Sequence, residues 1–248
     1  MPKLPVLKLV RHAYLDLYAN WQGLLQVGGI WLLLVWALMM LTGSPALDLL
    51  ANIALMLAVA AVAVAWHRHI LENAPLTARV APLDTGVFRY LCYTILFGVV
   101  IGLVPLFVFG ALGAATGPGQ VTLSLPGVAL GAAFFIAAIY IAMRLQLVFP
   151  AAAIGDDGIG FARSWDITQG NGWRLCLGLF LTTVPVAIVM LALTYLLGWL
   201  AASTGSIVAQ GLASLAIAAS SWLQAPLIAA FLSYAYLFFR QRSTSQTA

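Results

Sequence analysis

The sequence predicts an all-α fold: a polytopic integral membrane protein, one bundle of six transmembrane helices with cytoplasmic termini and interfacial amphipathic helices. Three observations carry this. Mean hydropathy is +1.03 and 7% of the 248 residues are charged, too thin a charged shell to cover a core in water. Apolar runs recur at the length of about 20 residues that a hydrocarbon layer of about 30 Å requires. Finally, the six crossings those runs define leave all 11 Lys and Arg residues on one side.

The first segment, residues 1–20, lacks the short apolar core and small-residue cleavage site of a signal peptide and is expected to remain in the mature protein. It reads as an amphipathic helix with Pro5 in its first turn, where a missing N–H costs little. Lys8, Arg11, His12 and Asp16 form one stripe, and Val6, Leu7, Val10, Tyr14, Leu17 and Tyr18 the opposite face. Either the helix lies flat on the membrane, with Lys8 and Arg11 toward anionic headgroups, or it packs beneath the bundle.

The spans follow: Leu24 to Leu41, Leu47 to Ala65, Leu91 to Leu112, Gly127 to Met143, Leu175 to Leu197, and a long run from Ile207 to Phe239. Lys3, Lys8 and Arg11 precede the first. Arg68, Arg79 and Arg89 lie between spans two and three, Arg144, Arg163 and Arg174 between four and five, and Arg240 and Arg242 after the last. The opposite loops carry one charge, Asp48. Loops rich in Lys and Arg stay cytoplasmic, which orients the chain in a bacterial inner membrane. Trp21, Trp66 and Trp173, with Phe88 and Tyr90, stand where an interfacial aromatic belt is expected on the basic side, and Trp199 on the other. Tyr234, Tyr236, Phe238 and Phe239 mark the inner end of the last span. Pro105, Pro185 and Pro226 interrupt three spans, and Pro226 is expected to kink its helix.

Residues 144–174 form an elbow, and residues 240–248 a tail; the whole of 1–248 reads as one domain. Residues 144–170 hold three of the seven acids, Asp156, Asp157 and Asp166, with Arg144 and Arg163. Phe149-Pro150 is expected to end the fourth helix. Asp156-Asp157-Gly158 then turns into a short helix from about Ile159 to Gln169, the acids complementing its dipole. Ile159, Ala162 and Trp165 would face bilayer or bundle, and Arg163 and Asp166 water. Arg144 either snorkels or pairs with Asp156, Asp157 or Asp166 to pin the elbow. Three approach segments, LYANWQGLL (17–25), LDTGVFRYLC (83–92) and ITQGNGWRLC (167–176), suggest three copies of an approach plus a helical hairpin. GVVIG (98–102) and GVALG (127–131) suggest close internal packing.

No cofactor, metal or catalytic residue is expected. DDGIGFAR (156–163) is similar to the opening of the CDP-alcohol phosphatidyltransferase motif, but the spacing differs and the later aspartates have no counterpart, so its metals could not be held. His67 and His69 point apart on a helix, and Arg68 and Glu72 form at most a surface pair; headgroup-facing histidines are the simpler reading. Cys92 and Cys176 read as buried thiols. The polar residues at depth, Gln26, Asn52, Gln146, Gln210 and Gln224, suit interhelical hydrogen bonds.

Arg144, Phe149, Pro150, Asp156, Asp157, Ser164 and Gly170 form a pattern that resembles the membrane-domain family fused to glycerophosphodiester phosphodiesterases and its stand-alone bacterial inner-membrane relatives. The resemblance implies a six-span membrane domain; the catalytic phosphodiesterase domain has no counterpart here. The expected role is a non-catalytic membrane component: a scaffold, an assembly partner or a lipid-surface organiser. Expected partners are membrane lipids and another membrane protein, and no nucleic acid. Transport or flipping of a lipid-like or small neutral substrate is the alternative, resting on the prolines and mid-span glutamines.

Overall fold

A computed structural model describes residues 3–41, 44–76, 84–116 and 125–245, with the side chains of 104–116, 125–127 and 242–245 set aside. Arg79 and the side chains of Pro105 and Arg242 lie outside the described set. Among the described residues every regular element is helical: α1 (Val6–Ala19), α2 (Trp21–Met40), α3 (Pro45–Glu72), α4 (Thr85–Thr116), α5 (Leu125–Leu145), α6 (Val148–Ile154), α7 (Phe161–Ile167), α8 (Gly172–Thr204) and α9 (Ile207–Ser245). Six of them, α2, α3, α4, α5, α8 and α9, are long and apolar enough to cross a membrane, giving the multi-pass bundle the sequence predicts.

The helices overrun the apolar windows that announced them. Apolar length marks the hydrocarbon layer, whereas a helix continues while its terminal groups find partners. At the start of α3 the Ser44 hydroxyl accepts the Leu47 N–H at 3.3 Å, Pro45 occupies the first turn, and Asp48 faces the dipole. Its other end runs past Ala65 to Glu72 and closes on Asn73, whose φ of 55° is left-handed. Neither Pro185 nor Pro226 ends its helix; α8 and α9 continue through both.

Three hairpins, α2–α3, α4–α5 and α8–α9, pack as neighbours. In lipid, apolar side chains gain little by meeting each other rather than acyl chains, so close approach depends on small residues. Alanine-rich α3 and α9 therefore sit at the centre: 50% and 56% of their span residues are buried, against 11–22% for the other four. Glycines complete the fit. Gly28 of α2 receives the Trp222 indole, Gly172 the Tyr140 ring, and Gly178 of α8 the Phe231 ring, each too close to admit a Cβ. Gly98 and Gly102 meet no neighbour within 4 Å, so the GVVIG glycines do not serve internal packing as expected.

The packing is lopsided. One continuous core joins Leu4, Val6 and Leu9 to Trp66, Tyr90, α6, Leu175 and the stretch of α9 from Ala225 to Phe239, all toward the end bearing the basic residues. Toward the opposite end a small separate cluster of Val35, Ala54, Ala58 and Ala218 packs under Trp31 and Leu32. There the Trp36 indole donates to the Gly211 carbonyl at 2.8 Å, tying α2 to α9.

Candidate functional site at the basic end

Functional groups concentrate where the interfacial segments close over the bundle. The elbow is more deeply set than a water-exposed turn. The fourth span breaks at Gln146–Leu147 rather than at Phe149-Pro150, and Pro150 lies in the first turn of α6, where no N–H is needed. Six of the seven α6 residues are buried among α3, α4 and α9. Gly155 ends it at a φ of 71°.

Arg144 pins this elbow, but not through an acid. It is 7% exposed. Its Nη2 donates to the Trp165 carbonyl, its Nε to the Thr168 hydroxyl at 3.3 Å, and its guanidinium lies 3.6 Å from the centre of a Trp165 ring. The Ser164 hydroxyl donates to the Arg144 carbonyl at 2.7 Å, capping the broken end of α5. Because α7 turns Ser164 and Thr168 inward, Arg163 and Asp166 point outward and tie nothing. Only Arg144, Asp156 and Asp157 of the predicted elbow residues are structural ties.

The acids hold other segments. Asp156 accepts the Tyr236 hydroxyl from α9 and the Gly158 N–H at 2.9 Å. The Tyr236 hydroxyl foremost, helped by that N–H and Arg240, holds the Asp156 carboxyl below the usual carboxylate range. Asp157 pairs with Arg89 of α4 at 2.7 Å. Neither acid reaches the first turn of α7, which starts beyond them at Phe161.

Arg68 joins three elements. It donates from Nε to the Ala153 carbonyl at 2.8 Å, satisfying the C-terminal end of α6, and pairs with Asp84 at 2.6 Å. Asp84 in turn caps α4 by accepting the Val87 N–H at 3.0 Å. Burial pushes Asp84 up, but the Arg68 hydrogen bond, the cap and the Arg68 charge outweigh it and hold the carboxyl low. A Cβ at Gly86 would crowd the Arg68 guanidinium and stand 3.1 Å from the Ala153 carbonyl, so glycine leaves room for that tie. Glu72 is not the partner of Arg68.

The N-terminal helix crosses the ends of three spans. The Leu4 N–H donates to Asn171 Oδ1 at 2.8 Å, and Arg174 Nη1 donates to the Leu4 carbonyl at 2.9 Å. Tyr14 reaches the Thr182 carbonyl of α8 at 2.8 Å, and the His12 ring meets Tyr234 of α9 edge-on at 5.6 Å. Asp16 accepts the Trp66 indole N–H of α3 at 2.8 Å. Burial pushes the Asp16 carboxyl up, against the pull of Trp66, His69 and Asn20. The predicted polar stripe is therefore split: Lys8 and Arg11 are exposed beside Leu7, Leu15 and Tyr18, while His12 and Asp16 turn inward.

Three interfacial assignments are corrected. Trp66 is fully buried and cannot meet lipid; a tryptophan at a span end resembles a belt residue whether it faces out or caps a core. Tyr90 is buried against Phe149, with ring centres 4.9 Å apart. His67 is buried too, its Nδ1 2.8 Å from the Ser233 hydroxyl, so it does not face headgroups. Trp21, Trp165 and Trp173 are exposed. Cys92 is exposed rather than buried. Among the described residues no group of three His, Cys, Asp or Glu side chains could hold a metal ion.

Sequence reading missed Asn171, Arg174, Thr168, Asp84 and Tyr236. Only Asp84 carried a local signal: an acid just before a helical run is a cap pattern. The others depend on partners far away in the chain.

On the outside of the bundle, an apolar groove runs between α5 and α8, lined by Ile139, Met143, Leu177, Phe180 and Thr183. A second hollow adjoins it between Pro5, Lys8 and Arg174. Comparison with protein-family models, curated proteins and solved structures finds no match to this chain.

Proposed function

We propose that this chain is a non-catalytic membrane component that presents a rigid, helix-capped end at the membrane surface, serving as a scaffold or assembly partner and ordering the lipids around it. The observation that carries the reading is the use of polar chemistry at the basic end. Arg68, Arg89, Arg144, Arg174, Asp16, Asp84, Asp156, Asp157 and Asn171 each fasten one segment to another. The outward rim is instead Leu7, Lys8, Arg11, Tyr18, Trp21 and Trp173, a mixture suited to headgroups and to a partner's surface. The motif residues have architectural roles as well: Gly170 sits at a φ of 73°, and Phe149 and Pro150 are buried in α6. Kinship with the phosphodiesterase-linked membrane domains is proposed on those residues and extends to the membrane part alone.

The basic end faces the cytoplasm of a bacterium in this reading, by the rule that cations stay inside. Labelling of single cysteines placed at 163 and 240 should be blocked in intact cells, and reaction at either from outside refutes the orientation. Purification from the native membrane in mild detergent, followed by mass spectrometry, tests the role: a stoichiometric second protein is expected. A single enriched small molecule with no protein would instead support transport. That second reading is favoured by the half-buried Ser221 and the 3.0 Å Gln224–Ser220 hydrogen bond midway along α9.

A further inference from the structure

We propose that the α5–α8 groove and the hollow beside it form one binding site for an anionic phospholipid, with the phosphate at Lys8 and Arg174 and an acyl chain along α8. This goes beyond the scaffold reading and holds whether or not a protein partner exists. The two concavities adjoin, with Trp173 and Leu177 in the wall of both. The upper one is walled by aliphatic and aromatic side chains of two membrane-crossing helices, and Phe180 and Leu177 are 58% and 50% exposed along it. The lower one is basic.

Lys8 and Arg174 stand together in the wall of one hollow, whereas the other described cations are either tied or, like the exposed Arg11 and Arg163, lie outside it. Arg68 and Arg89 have carboxylate partners, and Arg144 is buried under Trp165. Lys8 is exposed, and Arg174, which lines the hollow, gives one hydrogen bond among the described residues, from Nη1 to the Leu4 carbonyl. Among the described residues neither is within ion-pair distance of an acid. Two cations without a carboxylate among the described residues call for an anion, and an apolar groove beside them calls for an anion that carries chains. Basic hollows between membrane helices on the inner face are where anionic headgroups bind. The Trp173 indole, held 5.1 Å from the Tyr140 ring, stands at the junction, the depth an interfacial tryptophan favours. A zwitterionic headgroup would bring its own cation against Lys8 and Arg174.

Native mass spectrometry of the full-length, delipidated protein titrated with phosphatidylglycerol or phosphatidylcholine of matched chains decides the matter. Phosphatidylglycerol should bind roughly 10- to 30-fold more tightly, the scale expected of two cations near a membrane surface. Lys8→Gln should remove about fivefold of that preference without disturbing the fold, since among the described residues the Lys8 side chain makes no hydrogen bond or ion pair. Arg174→Gln should remove as much, but it also releases Leu4, so Lys8→Gln is the deciding variant. Thr183→Trp, which fills the groove, should weaken both lipids and leave the headgroup preference. Glycerol phosphate without chains should not displace the lipid. Equal binding of the two lipids, an unchanged preference in Lys8→Gln, displacement by chain-free phosphate, or a second copy of the chain in place of lipid would each overturn the assignment.

Discussion

Arg144→Leu is expected to lower the melting temperature in detergent by roughly 5–10 °C, with Arg144→Lys recovering little of the loss. The guanidinium supplies a charge-assisted bond to the Trp165 carbonyl, a second to Thr168, and a stacked contact on the Trp165 ring. Charge-assisted bonds contribute about 1.5–3 kcal/mol and a desolvated cation–π contact about 2 kcal/mol. The cost of burying a cation without a carboxylate offsets part of this, leaving a net loss of about 2–3 kcal/mol. Lysine keeps the charge but has neither a planar fork nor a face to stack. An unchanged melting temperature in the leucine variant would show that α7 is held by its hydroxyls alone.

A comparable loss is expected from a single methyl group at position 178. The Phe231 ring, 0% exposed, lies directly on Gly178, and a Cβ there would overlap it. Gly178→Ala must move α8 away from α9 or force the ring off its rotamer, at about 1–3 kcal/mol. Adding Phe231→Leu should restore part of the stability, because the two positions are coupled through one contact. Gly98→Ala is the control, since Gly98 faces open space and alanine favours helix. Equal melting shifts for Gly98→Ala and Gly178→Ala would refute a packing role for Gly178.

The membrane architecture was legible because hydropathy acts over lengths longer than any local ambiguity. Six long apolar runs survive errors at their ends, and the real ends differ because caps such as Ser44 and Asp84 extend helices beyond the lipid. The site was legible only in part. Arg144 stood out as a charge at the end of an apolar run, yet its partners are a carbonyl, two hydroxyl residues and a ring, none of which carries a charge to mark it. Trp66 was misread because its interfacial position is real along the chain, while its N–H finds Asp16 far upstream. Asn171 has no periodic signature at all. Its significance lies in the Leu4 backbone, 167 residues away.

That last distance has a consequence for biogenesis. The seat that receives the amino-terminal helix is made from Asn171, Arg174, Thr182 and Tyr234, none of which has been synthesised when that helix leaves the ribosome. Its apolar side, Leu4, Val6 and Leu9, has to wait until the final hairpin is inserted. Residues 4–9, made ahead of all six spans, are therefore among the last to settle.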